Sequence, residues 1–583
     1  MNNLPTREET EKAIRTLKPG KAAGPDGVPP DIYLYGGQAV LEAMHGLVCR
    51  MWTDEVVPQT LRDANIVILF KKGDRSICGN YRGISLLAAA GKILSKVLLN
   101  RLSTCIAESV LPETQCGFRA GRSTQDMIFT ARQIQEKCRE QRIGLFATFV
   151  DLSKAFDTVN REALWRVLSR YGCPEKFLKM LKMLHESMQG RLLADGELTE
   201  PFDINTGVKQ GCVLAPLLFA LYLTAVLYDA FGSTSSGIFI RFRLTGGIFN
   251  LQRLRAHTKT HDEFVRELLF ADDTALLSHS QAELQLLTNL FASACNNFGL
   301  TINIAKSDVL YQPPPSVPYV EPHVNIDNVP LSSVTRFTYL GSVLSSDATI
   351  SDEVQSRLNK ANTAYGRLRS RVFDNHSLRL STKISVYRAV VLSSLLYGCE
   401  TWTTYQRHLK DLEKFHQRKL RSIMKITWQD LVSNEEVLSR GNISSIEALI
   451  VKSQLRWCGH LVRMPDTRLP KRVFYSELKE GTRQRGGQRK RYKDNLKKYL
   501  RKSYITSDTW EEVALERNTW RHICHEGVNH MECDRVQHNI NRRTARKHRQ
   551  NNPVAQTTGY VCSTCGRVCG SRIGLNSHNR THT

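Results

Sequence analysis

Two short segments carry the acidic side chains best placed for metal chemistry, Phe149-Val150-Asp151-Leu152 and Phe270-Ala271-Asp272-Asp273. Each sets aspartate at the end of an apolar run with strand character. Leu145 to Val150 leads into Asp151, and Leu268 to Ala271 with Thr274 to Leu277 reads as a hairpin with Asp272 and Asp273 at its tip. Clustered carboxylates, each with an ordinary pKa of about 3.9, repel one another, and a divalent cation offsets that repulsion. If adjacent strands of one sheet bring the three together, they suit two Mg2+ ions roughly 3.5 to 4 Å apart. One ion would lower the pKa of an attacking hydroxyl and the other would hold a triphosphate and its leaving group. Read singly, Asp-Asp is also ordinary turn chemistry and Asp151 an ordinary strand-end helix cap. Between the two segments lies Gly207-Val208-Lys209-Gln210-Gly211-Cys212-Val213-Leu214-Ala215-Pro216, a glycine-bearing loop entering an apolar helix, which lets backbone approach a nucleotide or base closely.

A second set of ligand-type residues closes the chain. Cys562-x2-Cys565-x12-His578-x3-His582 has the spacing of a C2H2 zinc finger, with Tyr560 and Leu575 as its apolar supports. Two thiolates and two imidazoles give closed tetrahedral coordination, and binding one structural Zn2+, worth roughly 10 to 16 kcal/mol, is what folds so short a ββα unit. Cys569 stands where the central aromatic of such a unit usually sits, leaving a smaller core or an alternative ligand. Ser571, Gly574 and Ser577 occupy helix positions −1, 3 and 6, and none can make the bidentate contacts that read bases. Backbone binding through Arg567, Arg572 and Arg580, or a protein contact, is the expected use. Cys524, His525, His530 and Cys533 match no closed zinc spacing and are read as unligated.

The elements that must position these residues follow from periodicity and punctuation. Thr6 and Glu9 stand at capping-box spacing ahead of a helix, and residues 6 to 60 read as helix, loop, helix. Ala64 to Phe70 is a β-rich run ending in the basic loop Lys71-Lys72-Gly73-Asp74, and Ile84 to Leu102 has the spacing of a long helix. Lys154 to Leu168 also takes helical periodicity. Pro313 to Pro322 is a stiff connector, Thr338 to Leu344 a strand, and Asp352 to Tyr397 a helical stretch. Residues 400 to 550 hold five of the seven tryptophans, which argue for a folded unit, together with basic clusters at Arg483 to Lys502 and Arg542 to Arg549, which argue for surface contacts or flexible arms.

At 583 residues the chain exceeds one hydrophobic core. Lys and Arg outnumber Asp and Glu by 81 to 56, a formal charge of +25 that favours a polyanionic partner through counterion release. With no long apolar run and no apolar stretch behind a basic start, neither a membrane span nor a signal peptide is expected, so the protein is placed in nucleus and cytoplasm. Most of the fifteen cysteines are scattered singly in apolar surroundings, as reduced core thiols are.

Taken together, Phe149 to Asp157, Gly207 to Pro216 and Phe270 to Asp273 resemble motifs A, B and C of retroelement reverse transcriptases, most closely the non-LTR, LINE-type class. Asn80 to Ser85 and Gln115 to Arg119 are similar to that class's fingers motifs, and Tyr339-Leu340-Gly341 to its primer-grip hairpin. The resemblance implies an α+β right-hand polymerase that copies an RNA template from a DNA primer or nicked DNA target using dNTPs. Its expected parts are an N-terminal helical extension (1–60), fingers and palm (61–311), linker and primer-grip hairpin (312–350), helical thumb (351–430), basic C-terminal region (431–555) and zinc finger (556–583). It implies that Asp151 and Asp272 ligate both Mg2+ ions with Asp273 more peripheral, and that Phe156 is a steric gate against the ribose 2′-hydroxyl. Gln210 and Gly211 would line the nucleotide pocket, Arg82 and Lys71 grip the triphosphate, Lys306 protonate pyrophosphate, and Arg119 and Arg122 meet template phosphates. Proteins of this class usually carry an endonuclease upstream of the polymerase, and none is expected in this chain, so nicking would come from elsewhere or the copy is truncated. A catalytically inactive remnant that only binds nucleic acid, and an intron-type maturase, are the rival readings.

Overall fold

The computed structural model describes residues 1–71, 73–194, 196–483, 489–551 and 560–582; Lys72 of the basic loop, residues 484–488 of the first basic cluster and the lead into the terminal module lie outside them. Helices and β-sheets mix throughout, giving an α/β architecture. The element that organises the centre is a five-stranded sheet. Its strands run in the order Ser332–Val334, Asp308–Gln312, Leu145–Val150, Asp273–Ser278 and Glu267–Phe270, so the Asp151 strand and the Asp272 hairpin are neighbours. Strand Leu145–Val150 is hidden from solvent along nearly its whole length, as a central strand covered on both faces must be. One face carries helix Gln281–Asn297, packed on strands Leu145–Val150 and Asp273–Ser278, and behind it lies helix Ala215–Phe231, whose sequence is apolar all round and whose side chains are almost all buried. Thr124–Gln141 is a second helix with scarcely any exposed surface. A second five-stranded sheet, with Ala64–Phe70 between Tyr81–Leu86 and Gln189–Ala194, stands in front of the glycine-bearing loop.

The predicted capping box at Thr6 and Glu9 is formed, with the Glu9 backbone N–H donating to Thr6 Oγ1 at 3.2 Å and the Thr6 N–H to Glu9 Oε2 at 2.9 Å. Two predicted helices begin later than their periodicity suggests. Ile84 to Leu86 belong to strand Tyr81–Leu86, which pairs with Ala64–Phe70, and the helix runs from Ala89 to Leu102. Residues 154–159 form turns, and the helix spans Arg161–Arg170 behind the Asn160 cap. In both places local periodicity loses to long-range pairing. The carbonyls of Phe156 and Val159, instead of continuing a helix, accept from the N–H groups of Val208 and Gly207 at 2.8 and 3.0 Å.

Residues 431–551 do not stand apart. Helix Ile446–Arg463 gives Ile446 and Ile450 to the helical core of residues 350–450, and Val451, Leu455 and Cys458 to the next core. That second core also takes in Phe129 and Ile248 from the centre of the molecule. Strand Ser476–Leu478 adds to the sheet of Ile238–Phe242 and His261–Val265. The basic cluster after Arg483 is in part structural. Lys493 is buried against Glu477 at 3.1 Å, and Arg491 bridges Glu140 and Asp494 at 3.0 Å each. Among the described residues no helix is long and apolar enough to cross a membrane.

Candidate active site

Antiparallel register places the three aspartates. Thr274 pairs with Val150 and Ala275 with Phe149, so the next step outward sets Asp273 opposite Asp151. Asp272 lies one residue back, in the two-residue loop between paired Phe270 and Asp273. Ala271, the first residue of that loop, has φ of 59°, a left-handed conformation that costs a non-glycine residue about 1–2 kcal/mol. Tertiary contacts hold it there. The side chain of Gln115 accepts from the Ala271 N–H at 3.0 Å through Oε1 and donates to its carbonyl at 3.2 Å through Nε2, while Oε1 also accepts from the Gly117 N–H at 2.9 Å. Gly117 must be glycine, because a Cβ there would sit 2.1 Å from the Ala271 nitrogen. Strain maintained by surrounding structure is characteristic of functional positions. The backbone on the other side of the site is fixed as firmly, with Asn303 N–H donating to the Asp151 carbonyl at 2.8 Å and Ser307 Oγ accepting from the Asp151 N–H at 3.2 Å.

The electrostatics follow from this crowding. Burial raises the carboxyl of Asp272, with Asp151 adding to the shift and Arg82 opposing it. Burial, then Asp272, then Asp151 push Asp273 up to about 6. Carboxylates carried on adjacent strands and on the turn between them can be shared between two ions.

A cavity of about 560 Å³ opens beside Asp151 and Asp272 and is lined also by Lys71, Arg82, Phe156, Gln210 and Lys306. Phe156 is half-buried with its ring 4.8 Å from that of Phe219, which seats it at the cavity wall. Lys306 Nζ is 3.8 Å from Asp151 Oδ2. Gly211 packs against strand Tyr81–Leu86, where a Cβ would meet the Ser85 carbonyl at 2.5 Å, and the Gln210 carbonyl accepts from the Ser85 N–H at 2.9 Å. The loop before it is anchored by Arg161, whose guanidinium donates to the carbonyls of Gly207, His185, Ile204 and Thr206. Asp273 faces a second, smaller cleft of about 180 Å³, shared with Asp151 and Lys306 and closed by Phe337 to Gly341. The hairpin Arg336–Tyr339/Ser342–Ser345 that forms this wall is fastened by Phe337 stacked on Phe149 at 3.8 Å and by the Tyr339 hydroxyl donating to the Leu268 carbonyl at 3.2 Å.

Arg119 and Arg122, expected at template phosphates, serve another purpose. Arg119 is buried and donates to the carbonyls of Leu111, Pro112 and Gln115 and to Glu108, so its guanidinium is occupied in bracing the turn that presents Gln115. Arg122 is held by Glu113 at 2.8 Å. Gln115, Gly117 and Arg161 were not singled out as site residues from the sequence, since their roles are contacts to backbone groups far along the chain.

In the terminal module, short strands Tyr560–Val561 and Val568–Cys569 precede helix Arg572–Asn579, capped by Ser571. Cys565 Sγ is 3.0 Å and His582 Nε2 3.1 Å from His578 Nε2. Burial opposes ionisation of the Cys562 thiol, but the N–H groups of Cys565 and Thr564 and the side chains of Cys565 and His582 outweigh it and hold the thiol below its usual range. The donor set fits zinc. Cys524, His525, His530 and Cys533 lie along one helix, Arg517–Asn551, and form no such group.

Residues 70–344 match the family described as reverse transcriptase (RNA-dependent DNA polymerase), so the chain carries a reverse transcriptase domain. Among curated proteins it is 27% identical over 320 residues to the uncharacterized 149 kDa protein of transposon TX1 from Xenopus laevis, covering 54% of this chain and 23% of that one. It is 24% identical over 438 residues to the RNA-directed DNA polymerase from mobile element jockey of Drosophila melanogaster, covering 73% and 44%. It is 27% identical over 424 residues to the Pol polyprotein from type-1 retrotransposable element R2 of Popillia japonica, covering 70% and 53%. The chain thus spans between about a quarter and about half the length of these relatives.

Proposed function

We propose that this chain is an RNA-directed DNA polymerase of the non-LTR retrotransposon type. The observation that carries the reading is the placement of Asp151 and Asp273 on adjacent strands with Asp272 at the turn, against a cavity that holds Arg82, Lys71, Phe156 and Gln210. Residues 61–311 act as fingers and palm, 312–350 as linker and primer grip, and 351–430 as thumb, with the helices and strand of 431–551 braced against the palm. Asp151 and Asp272 hold two Mg2+ ions, with Asp273 on the primer side, and the crowded carboxyls of Asp272 and Asp273, pushed up by burial and by their acidic neighbours, fit cations. When bound, the ions supply charge neutralisation and a more acidic primer hydroxyl.

The remaining roles belong to side chains of the cavity. Arg82 offers a planar fork and Lys71 a compact charge to the triphosphate. The Phe156 ring, held by Phe219, serves as the gate against a ribose 2′-hydroxyl. Lys306, beside Asp151, gives a proton to the leaving pyrophosphate. The substrates are dNTPs, an RNA template and a DNA primer, with nicked chromosomal DNA as the natural primer source, which requires work in the nucleus after synthesis in the cytoplasm. One Zn2+ on Cys562, Cys565, His578 and His582 folds the terminal module.

Primer extension on an RNA template with Mg2+, comparing wild type with Asp272→Ala, tests this. Expected is extension by wild type and a loss on the order of 10³-fold or more in the variant, beyond the cost of one lost hydrogen-bond donor. Equal extension by both ends the catalytic reading, and absence in both favours an inactive nucleic-acid-binding remnant.

A further inference from the structure

A second cavity of about 540 Å³, nearly as large as the one beside the aspartates, lies between helices Ile446–Arg463 and Arg517–Asn551. The first helix turns Arg456, His460 and Arg463 toward it at spacings of four and three residues, and the second contributes Arg517 and Arg521, again four apart. Arg517 and Arg521 are like charges at helical spacing, which destabilises a helix by a few tenths of a kcal/mol, so their pairing has to be favoured by something else. Neighbouring acids do not supply it. Among the described residues none of Arg456, Arg463, Arg517 and Arg521 has a carboxylate within 4.0 Å, whereas many arginines elsewhere in the chain do. The cavity's one acid is Glu400, whose carboxyl is pushed up by burial toward the neutral form.

The cavity is also closely braced. Trp520, buried beneath it, donates from Nε1 to the Leu455 carbonyl at 3.0 Å and lies directly over Gly459, where a Cβ would be 2.1 Å from that nitrogen. Arg463 ties the two sides together by donating to the Ala514 carbonyl at 2.6 Å. The guanidiniums of Arg456, Arg517 and Arg521 are left exposed around a fixed frame. Trp457 and Trp520 are too deeply buried to offer a ring face for base stacking, so the chemistry on offer is that of cations toward phosphate.

We propose that this arginine-lined cleft is a second nucleic-acid site, which grips the phosphodiester backbone of the template or primer strand without reading its sequence. The inference rests on the nucleic-acid reading above and extends it to a surface outside the matched reverse transcriptase domain, whose last residue is 344. Three free guanidiniums on one frame contact up to three phosphates, and each contact contributes about 0.7 to 0.9 to the slope of log affinity against log salt.

The test uses the full chain with zinc retained, without Mg2+ or dNTPs, and a fluorescein-labelled RNA template annealed to a DNA primer. Binding is measured across a salt series for wild type, for Arg456→Gln/Arg517→Gln/Arg521→Gln, and for a control, Lys12→Gln/Arg50→Gln/Arg170→Gln, that removes the same charge from exposed positions elsewhere. All six positions are solvent-accessible and free of ion pairs among the described residues, so circular dichroism melting curves should coincide. Expected is at least about a tenfold weaker Kd for the cleft variant near physiological salt and a slope flatter by about 2, with the control close to wild type. A cleft variant indistinguishable from the control overturns the proposal, as does saturation of the cleft by millimolar pyrophosphate with no effect on strand binding. Extension activity separates the two readings. A wild type that binds through the cleft yet never extends a primer refutes the polymerase assignment and leaves the cleft standing, whereas normal extension with an unaltered cleft variant does the reverse.

Discussion

The two ligand sets of this chain solve the same problem in opposite ways. The three aspartates are brought together by a five-stranded sheet with helices packed behind it, a strained turn clamped by Gln115, and backbone bonds from Asn303 and Ser307. Of the four terminal ligands only His578 lies in a regular element, the eight-residue helix; Cys562 and Cys565 stand between two two-residue strands and His582 follows the helix, and apart from Cys562 nearly every side chain of that module faces solvent. In the first case the fold itself positions the ligands, and burial raises the carboxyls of Asp272 and Asp273. In the second the core is small, and under the proposed zinc reading the metal would supply the folding free energy. On that proposal the same ligand chemistry is a product of the fold in one region and its cause in the other.

The largest effect that tests this contrast is zinc removal. A zinc-selective chelator should unfold residues 560–582, because about 10 to 16 kcal/mol of binding is withdrawn, and hydrogen exchange there should become unprotected while helix 215–231 keeps its protection. Loss of protection in both regions would mean that the terminal module is integral to the central fold. Next in size is Gly117→Ala. Its Cβ would strike the Ala271 backbone, so the hairpin tip must move, at a cost of about 1 to 3 kcal/mol in stability and of roughly 10²-fold in extension rate, as displacements near 1 Å do. A variant that melts early but extends at the wild-type rate would show that the turn does not set the aspartate geometry.

The smallest effect is a pH dependence. Asp273 titrates near 6 in the folded protein, above its unfolded value, so ionising it opposes folding. The sign is therefore destabilising, absent below about pH 4, growing through about pH 6 and complete above it, with water at its exposed edge screening part of the effect. Asp273→Asn in metal-free protein should raise the denaturant midpoint at neutral pH, the gain should vanish near pH 4, and excess Mg2+ should shrink it. A gain independent of pH would place its origin in packing rather than in carboxylate repulsion.

How far the sequence could be read depended on the range of the contact involved. The capping box at Thr6, the strand ending at Asp151, the hairpin at Asp272 and the zinc spacing are local, and their residue types and intervals were enough to locate them. Ile84 to Leu86 and Lys154 to Val159 were misread as helix because their helical periodicity is real, while the hydrogen bonds that overrule it come from residues about 15 to 125 positions away. Arg119 looked like a phosphate ligand for a similar reason. An arginine in a glycine-rich turn has the same sequence appearance whether its guanidinium faces a polyanion or, as here, the carbonyls of its own loop.

By itself, then, the order of residues determined which side chains are capable of chemistry, the polyanionic partner implied by 25 excess positive charges, and the local elements that end in those side chains. Tertiary structure alone decided that Asp273 faces Asp151, that Gln115 and Gly117 hold the turn between them, and that arginines more than fifty positions apart line one cleft. The physical reason is that propensity and periodicity act over a turn or two of chain. Strand register, a backbone approach that only glycine permits, and unneutralised charge exist only once distant segments have packed against one another.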